Sequence, residues 1–234
     1  KGASITHDHL WRWLASIAHH SQRDDTDVEV SFAPYFHVSL LSGSLTTLFS
    51  GGRTIVLPDA DPDRIIETIG RESGTRLSGP PTVYSAMLRR AEFARSCRSL
   101  HHVLVGSMAV TADLLGALLS ALPGCAIQTG YGATEFGPVT RTPVGELRAG
   151  RSTGVGRPVA GVEIRVVNGT GVELEPGQIG EIEVKAPWQA SGYWRQPAET
   201  EASWTADGFI RLGDLGWLEH DGWLHLAGRA KDMI

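Results

Sequence analysis

The stretch "HHVLVGSMAVTADLLGALLSALPGCAIQTG", residues 101–130, decides the fold class that this sequence predicts. Its two ends, 101–106 and 125–130, are short apolar runs typical of buried strands, and residues 111–124 between them have the length and pattern of an amphipathic helix. Two strands joined by a helix favour parallel pairing, because a parallel neighbour needs a long crossover connection. We therefore expect a parallel sheet here.

The same alternation of strand and helix continues toward the start of the chain. Further strands are predicted at 28–34, 53–58 and 75–79, and further helices at 61–72, at 80–94 and directly after Thr6. The predicted helix caps are Thr6, Asp61 and Thr111 at N-terminal ends and Gly124 at a C-terminal end. This order predicts an α/β fold with a mostly parallel sheet and flanking helices on both faces.

The pattern changes from about residue 140 onward. Apolar and polar residues alternate with a period of two, and Asn-Gly, Pro-Gly and Asp-Gly pairs separate the runs, which is typical of antiparallel hairpins or a small barrel. One helix is predicted near 197–203. We therefore expect an α/β sheet subdomain over residues 1–140 and a β-rich, barrel-like subdomain over residues 141–230.

Composition and charge narrow the class of protein. The chain has 234 residues, a net charge of −5, and acids and bases scattered along its length, which gives no basic patch for nucleic acid. It has only two cysteines, Cys97 and Cys125, which form no disulfide framework, so a reducing cytoplasm is the expected location. No apolar run approaches the roughly 18 residues of a membrane span. The ends, at Lys1 and at "GRAKDMI", indicate a piece of a longer protein.

The segment "YGATE" lies at the carboxyl end of the last predicted parallel strand, where α/β sheets bind ligands. Gly130 and Gly132 allow backbone N–H groups to approach a ligand, Tyr131 offers a ring for a base, and Thr134 a hydroxyl for a phosphate. Glu135 can hold a hard divalent cation through its carboxylate. A tight turn with a surface acid explains the same residues, and this segment alone leaves both interpretations open.

Three more residues are candidates for binding a nucleotide. Lys1 precedes a predicted helix N-terminus, a position that suits an anion. Asp214 lies between two glycines in a strand-rich region and has the acceptors for a ribose diol, and Arg229 can reach a sugar hydroxyl or a phosphate. A solvated lysine and a turn aspartate are the competing explanations.

Taken together, the motifs resemble the adenylate-forming superfamily, which includes acyl-CoA synthetases, aryl-CoA ligases, luciferases and adenylation domains. The resemblance covers essentially the whole chain. Its motifs, in order, are "KG" (1–2), "APYFHVSLLSG" (33–43), "GYGATE" (130–135), "GVGRPVAGVEIRVV" (154–167), "GEIEVKA" (180–186), "SGYWRQPAET" (191–200) and "DGFIRLGDLGWLEHDGWLHLAGRAKDMI" (207–234). Several independent motifs in one order are far more specific than any one of them.

The resemblance implies a role for each candidate residue. Tyr131 would stack on adenine, Thr134 would contact the α-phosphate, Glu135 would bind Mg²⁺, and Asp214 with Arg229 would hold the ribose. Lys1 would belong to the phosphate loop, and Gly130 and Gly132 to the nucleotide site. Residues 231–234 would begin the connection to a C-terminal domain, with Lys231 as the hinge.

The implied reaction has two steps and requires ATP, Mg²⁺ and coenzyme A. A carboxylate attacks the α-phosphorus of ATP, which gives an acyl-adenylate and pyrophosphate, and a thiol then displaces AMP. Because the front of the phosphate loop and the C-terminal domain would lie outside these 234 residues, the chain alone is expected to show no ATP–pyrophosphate exchange.

His37 indicates which branch of the superfamily the chain resembles. The amino-acid-activating branch usually has an aspartate after the corresponding phenylalanine, to pair with the substrate ammonium, whereas "YFH" (35–37) places an imidazole there. A buried ammonium without a carboxylate would be costly, so an α-amino acid substrate is disfavoured. A core histidine bonded to a carbonyl remains an alternative explanation. The expected acyl-pocket residues are His37, Val38, Gly106, Ser107, Met108 and Ala133.

Three functions are compatible with these motifs. The first is an acyl- or aryl-CoA ligase, with His37, Thr134 and Glu135 as catalytic residues. The second is an adenylating enzyme that loads a carrier protein, and the third is a non-catalytic module that binds AMP. The presence of Thr134, Glu135, Asp214 and Arg229 together argues against the third.

Overall fold

The computed structural model describes residues 2–32, 34, 36–151 and 153–232, with the backbone alone at residues 39–41. Along these residues the helices are α1 (His7–His20), α2 (Val38–Phe49), α3 (Pro62–Glu72), α4 (Pro81–Leu88), α5 (Phe93–Ser96), α6 (Ala112–Ala121) and α7 (Pro197–Ser203), followed by a 3₁₀ turn at Ala230–Asp232. The strands are β1 (Val28–Ser31), β2 (Arg53–Val56), β3 (Arg76–Gly79), β4 (His102–Val105), β5 (Ala126–Thr129), β6 (Gly132–Ala133), β7 (Gly137–Pro138), β8 (Thr140–Arg141), β9 (Arg157–Pro158), β10 (Glu163–Val167), β11 (Gly180–Lys185), β12 (Ile210–Leu218) and β13 (Leu224–Arg229).

The described chain forms two compact units that are not contiguous in sequence. Unit 1 comprises residues 2–13, 132–141 and 153–232, and unit 2 comprises residues 14–131 and 142–151. Each unit therefore contains residues from both sides of residue 140. None of the helices in the described ranges has the length and apolar character that a membrane crossing requires.

Unit 2 contains the predicted parallel sheet, with strand order β2-β1-β3-β4-β5 and every neighbouring pair parallel. Successive side chains of β1 point to opposite faces of the sheet, and helices pack against both faces. Val30 belongs to the apolar core formed with α3, α4, α5 and α6, while Glu29 and Ser31 point to the other face and meet Thr47 and Ser44 of α2. The fold prediction is confirmed for this part of the chain.

Local signals explain where several helices begin. Asp61 accepts a hydrogen bond from Arg64 N at 2.8 Å, and Thr111 accepts one from Leu114 N at 3.3 Å, so both predicted N-caps are confirmed. Thr6 Oγ1 accepts from His9 N at 3.1 Å in the same manner. Gly124 was expected to end α6, but that prediction is wrong: the helix ends at Ala121, and Leu122 is the capping residue.

Two other helices differ from the sequence-based expectation. The predicted helix 80–94 divides into α4 and α5, and the turn between them lets Phe93, 2% exposed, enter the core. Helix α2 was not predicted, and half of its residues are serine, threonine or glycine. Two of its threonine hydroxyls bond within the helix: Thr46 donates to Ser42 O and Thr47 to Gly43 O, at 2.5 and 3.2 Å.

Unit 1 contains the β-rich part of the fold. Strands β10 to β13 form one antiparallel sheet in chain order, and β6–β7 and β8–β9 form two short antiparallel pairs. Helix α7 occupies Pro197–Ser203, where a helix was predicted. The β-rich character of this half is thus confirmed, and the turns fall at the predicted Asn-Gly, Pro-Gly and Asp-Gly pairs between the strands of the sheet.

Candidate active site

Thr134 and Glu135 lie at the tip of the hairpin formed by β6 and β7 in unit 1. Phe136 N donates to Ala133 O at 3.2 Å, which closes a four-residue turn around the two side chains. Thr134 is exposed and Glu135 is half-buried. The turn therefore carries a hydroxyl and a carboxylate on two consecutive residues.

Three hydrogen bonds from residues 188–193 hold this hairpin tip. Trp188 Nε1 donates to Phe136 O at 2.7 Å, and Ala190 N donates to Glu135 O at 2.7 Å. Tyr193 donates its hydroxyl to Glu135 Oε1 at 2.6 Å, a distance typical of a bond to a charged acceptor. Both the backbone and the carboxylate of Glu135 are therefore fixed by partners far away in sequence.

The donor set at the tip fits Mg²⁺. This ion is usually held by one or two carboxylates and completes its coordination with phosphate oxygens and water, so one half-buried glutamate next to an exposed threonine is a sufficient protein contribution. Among the residues that the structure describes, no three His, Cys, Asp or Glu side chains form a cluster of their own. A magnesium ion here would depend on the nucleotide for most of its ligands.

Asp214 and Arg229 lie opposite each other on neighbouring strands of the antiparallel sheet. They are paired residues in the β12–β13 register, and Arg229 Nε lies 2.9 Å from Asp214 Oδ1. The aspartate side chain is 11% exposed and the arginine side chain 53% exposed. The structure thus brings these two predicted sugar-binding residues together, with the guanidinium holding the nearly buried carboxylate in place.

The remaining candidates in unit 2 follow the carboxyl ends of parallel strands. His37 and Val38 follow β1, Gly106 to Met108 follow β4, and Gly130 with Tyr131 follow β5. Since β4 and β5 are adjacent and parallel, the last two groups lie side by side: a Cβ on Gly106 would be 3.9 Å from Gly130 O. The residues that directly follow β4 and β5 are therefore at one edge of the sheet.

Exposure separates the residues at this edge. His37, Ser107 and Met108 are exposed, the last at 60%, and Gly130 and Tyr131 are half-buried. Ser107 has φ +68, a left-handed conformation that few residues other than glycine adopt. This left-handed residue directly follows Gly106, the glycine that lies close to Gly130.

Three predicted residues stand apart from these groups. Ala133 belongs to the hairpin of unit 1, whereas the other acyl-pocket candidates belong to unit 2. Lys231 is exposed in the 3₁₀ turn that follows β13 directly. Lys1 lies outside the described residues.

The sequence indicates only that Trp188 packs within the β-rich subdomain, and it gives Tyr193 no role of its own; both residues bind the hairpin tip. Tyr193 is part of the quoted motif "SGYWRQPAET", which identified the segment but not its contact with Glu135. An alternating pattern cannot pair residues 135 and 193, because that pairing depends on how the chain folds back.

Comparison with known proteins places these observations in a family. Residues 1–194 match the family model described as AMP-binding enzyme. The chain is 32% identical to the feruloyl-CoA synthase of Amycolatopsis sp over 100% of its own length and 48% of the relative's. It is 27% identical to the long-chain-fatty-acid–CoA ligase of Salmonella typhimurium, over 100% of its own length and 42% of the ligase's.

A solved structure agrees with the sequence comparisons. The ATP-bound structure of MatB from Rhodopseudomonas palustris is 33% identical to the chain, with a TM-score of 0.89 over 100% of the chain and 46% of MatB. The chain spans about half the length of the relatives that it matches. The sequence match, the parallel sheet and the antiparallel sheet agree, and the chain belongs to the AMP-binding enzyme family.

Proposed function

We propose that the full-length protein carrying this sequence activates a carboxylic acid with ATP and transfers the acyl group to coenzyme A. The observation that carries the proposal is the hairpin tip at Thr134 and Glu135, built by three hydrogen bonds in a chain of the AMP-binding enzyme family. The feruloyl-CoA and long-chain-fatty-acid–CoA relatives support the same reaction class while differing in the acid.

Each candidate residue has a proposed role in binding the nucleotide. Tyr131 stacks on the adenine, Asp214 accepts hydrogen bonds from the ribose hydroxyls, and Arg229 orients that carboxylate. Thr134 donates to an oxygen of the α-phosphate. Lys1 belongs to the phosphate loop, and Lys231 is the hinge for a further domain.

The first step forms a bond between an oxygen of the substrate carboxylate and the α-phosphorus of ATP. The bond from that phosphorus to the bridging oxygen breaks, and pyrophosphate leaves with the electron pair. Glu135 holds Mg²⁺, which when bound supplies positive charge against the phosphate oxygens. Thr134 stabilises the same oxygens, so in-line positioning and electrostatics account for the catalysis.

In the second step the thiol of coenzyme A gives its proton to solvent and its sulfur attacks the acyl carbon. The bond between that carbon and the phosphate oxygen of AMP breaks, and AMP leaves with the electron pair. His37 directly precedes α2, and we propose that it borders the acyl pocket with Val38, Gly106, Ser107 and Met108. Position 37 holds a histidine and not a carboxylate that could pair with a substrate ammonium, which disfavours an α-amino acid substrate. A carrier-protein thiol is the alternative acceptor.

The test measures acid-dependent release of AMP by the full-length protein, with a panel of hydroxycinnamic and fatty acids, with and without coenzyme A. We expect release that requires ATP, Mg²⁺, one class of acid and coenzyme A. Glu135→Gln should lower the rate by about 100-fold or more. The matched control is Glu181→Gln on β11 in the same unit, which should leave the rate unchanged.

The outcomes separate the three candidate functions. ATP–pyrophosphate exchange without any release of AMP on addition of coenzyme A favours the carrier-protein acceptor. Nucleotide binding without exchange favours a binding module. Full activity of Glu135→Gln would contradict the proposal that Glu135 binds Mg²⁺. The 234 residues alone, about half the length of their relatives, are expected to give no exchange.

A further inference from the structure

The segment Ser191–Trp194 pairs with the residues that precede α1. Ser4 N donates to Gly192 O at 2.8 Å, Ser191 N to Ser4 O at 2.9 Å, and Trp194 N to Gly2 O at 2.7 Å, with an antiparallel bridge between Ala3 and Tyr193. These bonds are all within unit 1. The segment therefore fixes the backbone directly after the phosphate-loop candidate.

The side chain of Tyr193 extends from this segment to Glu135. Its hydroxyl donates to Glu135 Oε1 at 2.6 Å, and the residue is 8% exposed. Its ring meets the ring of Trp204 edge to face, with centroids 5.2 Å apart, and its backbone N donates to Thr200 Oγ1 at 2.9 Å. The ring and the backbone are thus held independently of the hydroxyl–carboxylate bond.

In a hydrogen bond between a phenol and a carboxylate, the phenol hydroxyl is the donor and the carboxylate oxygen is the acceptor. A donor aimed at one carboxylate oxygen restricts how the glutamate can rotate, as partners of metal ligands do in other proteins.

We propose that Tyr193 is a positioning residue for the metal ligand Glu135, and that the segment Ser191–Trp194 links this ligand to the end of the phosphate loop. The proposal rests on the proposed function for the identity of the metal–nucleotide ligand. One side of the segment holds the backbone of Gly2–Ser4, and the tyrosine hydroxyl on the other side holds the carboxylate. A single short segment thereby sets both groups that meet the triphosphate.

The test compares Tyr193→Phe with the wild type in the full-length protein. The first measurement is direct binding of Mn²⁺, as a paramagnetic substitute for Mg²⁺, in the presence of ATP, followed by electron paramagnetic resonance. We expect Tyr193→Phe to raise the Mn²⁺ concentration for half-saturation by about 10- to 100-fold. Binding of AMP without metal and the melting temperature should change little, because the ring still packs against Trp204.

Two control variants separate positioning from packing. Trp204→Phe loosens the packing around Tyr193 but leaves the hydroxyl, so it should lower the melting temperature while keeping Mn²⁺ affinity. Tyr84→Phe removes a fully buried hydroxyl in unit 2, which lies 2.9 Å from Leu77 O, and should also leave Mn²⁺ affinity unchanged. In the adenylation assay, Tyr193→Phe should need more Mg²⁺ and recover most of its rate when Mg²⁺ is saturating.

The results distinguish this proposal from the proposed function. Unchanged Mn²⁺ affinity in Tyr193→Phe, or an equal loss of metal-free AMP binding, overturns the positioning role. The expected loss of Mn²⁺ affinity in a protein that forms no adenylate with any acid supports the positioning role and overturns the proposed function. A wild type that does not bind Mn²⁺ with ATP overturns both.

Discussion

Arg165 on β10 holds two carboxylates of very different exposure. Its guanidinium lies 2.6 Å from Glu183 Oε2, fully buried on β11, and 2.6 Å from Asp207 Oδ2, which is 54% exposed. Arg211 on β12 lies 2.5 Å from the other oxygen of Glu183. The buried charge is tolerated because the two neighbouring strands each place an arginine at the paired position.

Asp207 makes acid stability measurable at one residue. The hydrogen bond from Arg165, and next that from Thr205, lower its pKa from the ordinary 3.8 to about 2. Because the folded value is lower than the unfolded one, its stabilising contribution is complete above about pH 4 and is lost as the pH falls toward 2. We expect Asp207→Asn to have a shallower loss of unfolding free energy over this window.

The measurement is urea unfolding between pH 5 and pH 2, together with carboxyl NMR of Asp207. Thr205→Val removes one donor to Asp207 and leaves Arg165. Its loss of unfolding free energy on acidification should lie between those of wild type and Asp207→Asn. A titration midpoint near pH 4 for the Asp207 carboxyl would contradict its lowered pKa. The same would follow if the unfolding free energy of Asp207→Asn and of wild type fell equally between pH 5 and pH 2.

At the scale of elements, the hairpin β6–β7 depends on how closely α1 approaches it. Gly137 has φ +70, and a Cβ there would overlap the indole ring of Trp13. Phe136, the preceding residue, is fully buried and accepts the hydrogen bond from Trp188. The position of the turn that carries Glu135 is therefore set by the absence of a side chain at one residue.

Gly137→Ala should destabilise unit 1 by about 2–5 kcal/mol, from left-handed strain plus overlap with Trp13. The matched control is Gly177→Ala in the same unit, where φ is +87 and a Cβ meets nothing within 4 Å. That variant should lower the free energy of unfolding by about 1 kcal/mol, from backbone strain alone. Urea unfolding followed by tryptophan fluorescence measures both. Equal costs would show that Trp13 does not limit the approach.

At the scale of the whole molecule, the two units carry different intrinsic reporters. All seven tryptophans belong to unit 1, and both cysteines belong to unit 2. Cys97 and Cys125 are 0% and 3% exposed in one apolar core with the strands of the parallel sheet. Fluorescence therefore follows unit 1, and thiol chemistry follows unit 2.

Both thiols should be unreactive while unit 2 is folded. Burial raises the pKa of Cys97 and of Cys125 from 9.0 to about 12, so at pH 8 the thiolate fraction falls by about three orders of magnitude. We expect Ellman's reagent to release no chromophore over minutes in native buffer and two equivalents in guanidinium chloride. Rapid labelling of either cysteine in the native protein would contradict the burial of this core.

Local signals in the sequence determined much of this molecule. The five parallel strands, the antiparallel hairpins, α7 and three helix N-caps follow from periodicity of two or 3.6 residues and from caps within three residues of each helix start. The order of motifs identified the family. These features depend on neighbours along the chain, so a single sequence contains enough information to predict them.

Only the tertiary structure decided the features that depend on distant pairing. Helix α2 forms although its residues are poor helix formers, because its threonines bond within the helix and its face meets the buried strand β1. The contact of Tyr193 with Glu135 and the pairing of Asp214 with Arg229 join residues through chain reversal and strand register. Sequence motifs identified these residues as candidates, but register and packing set their distances.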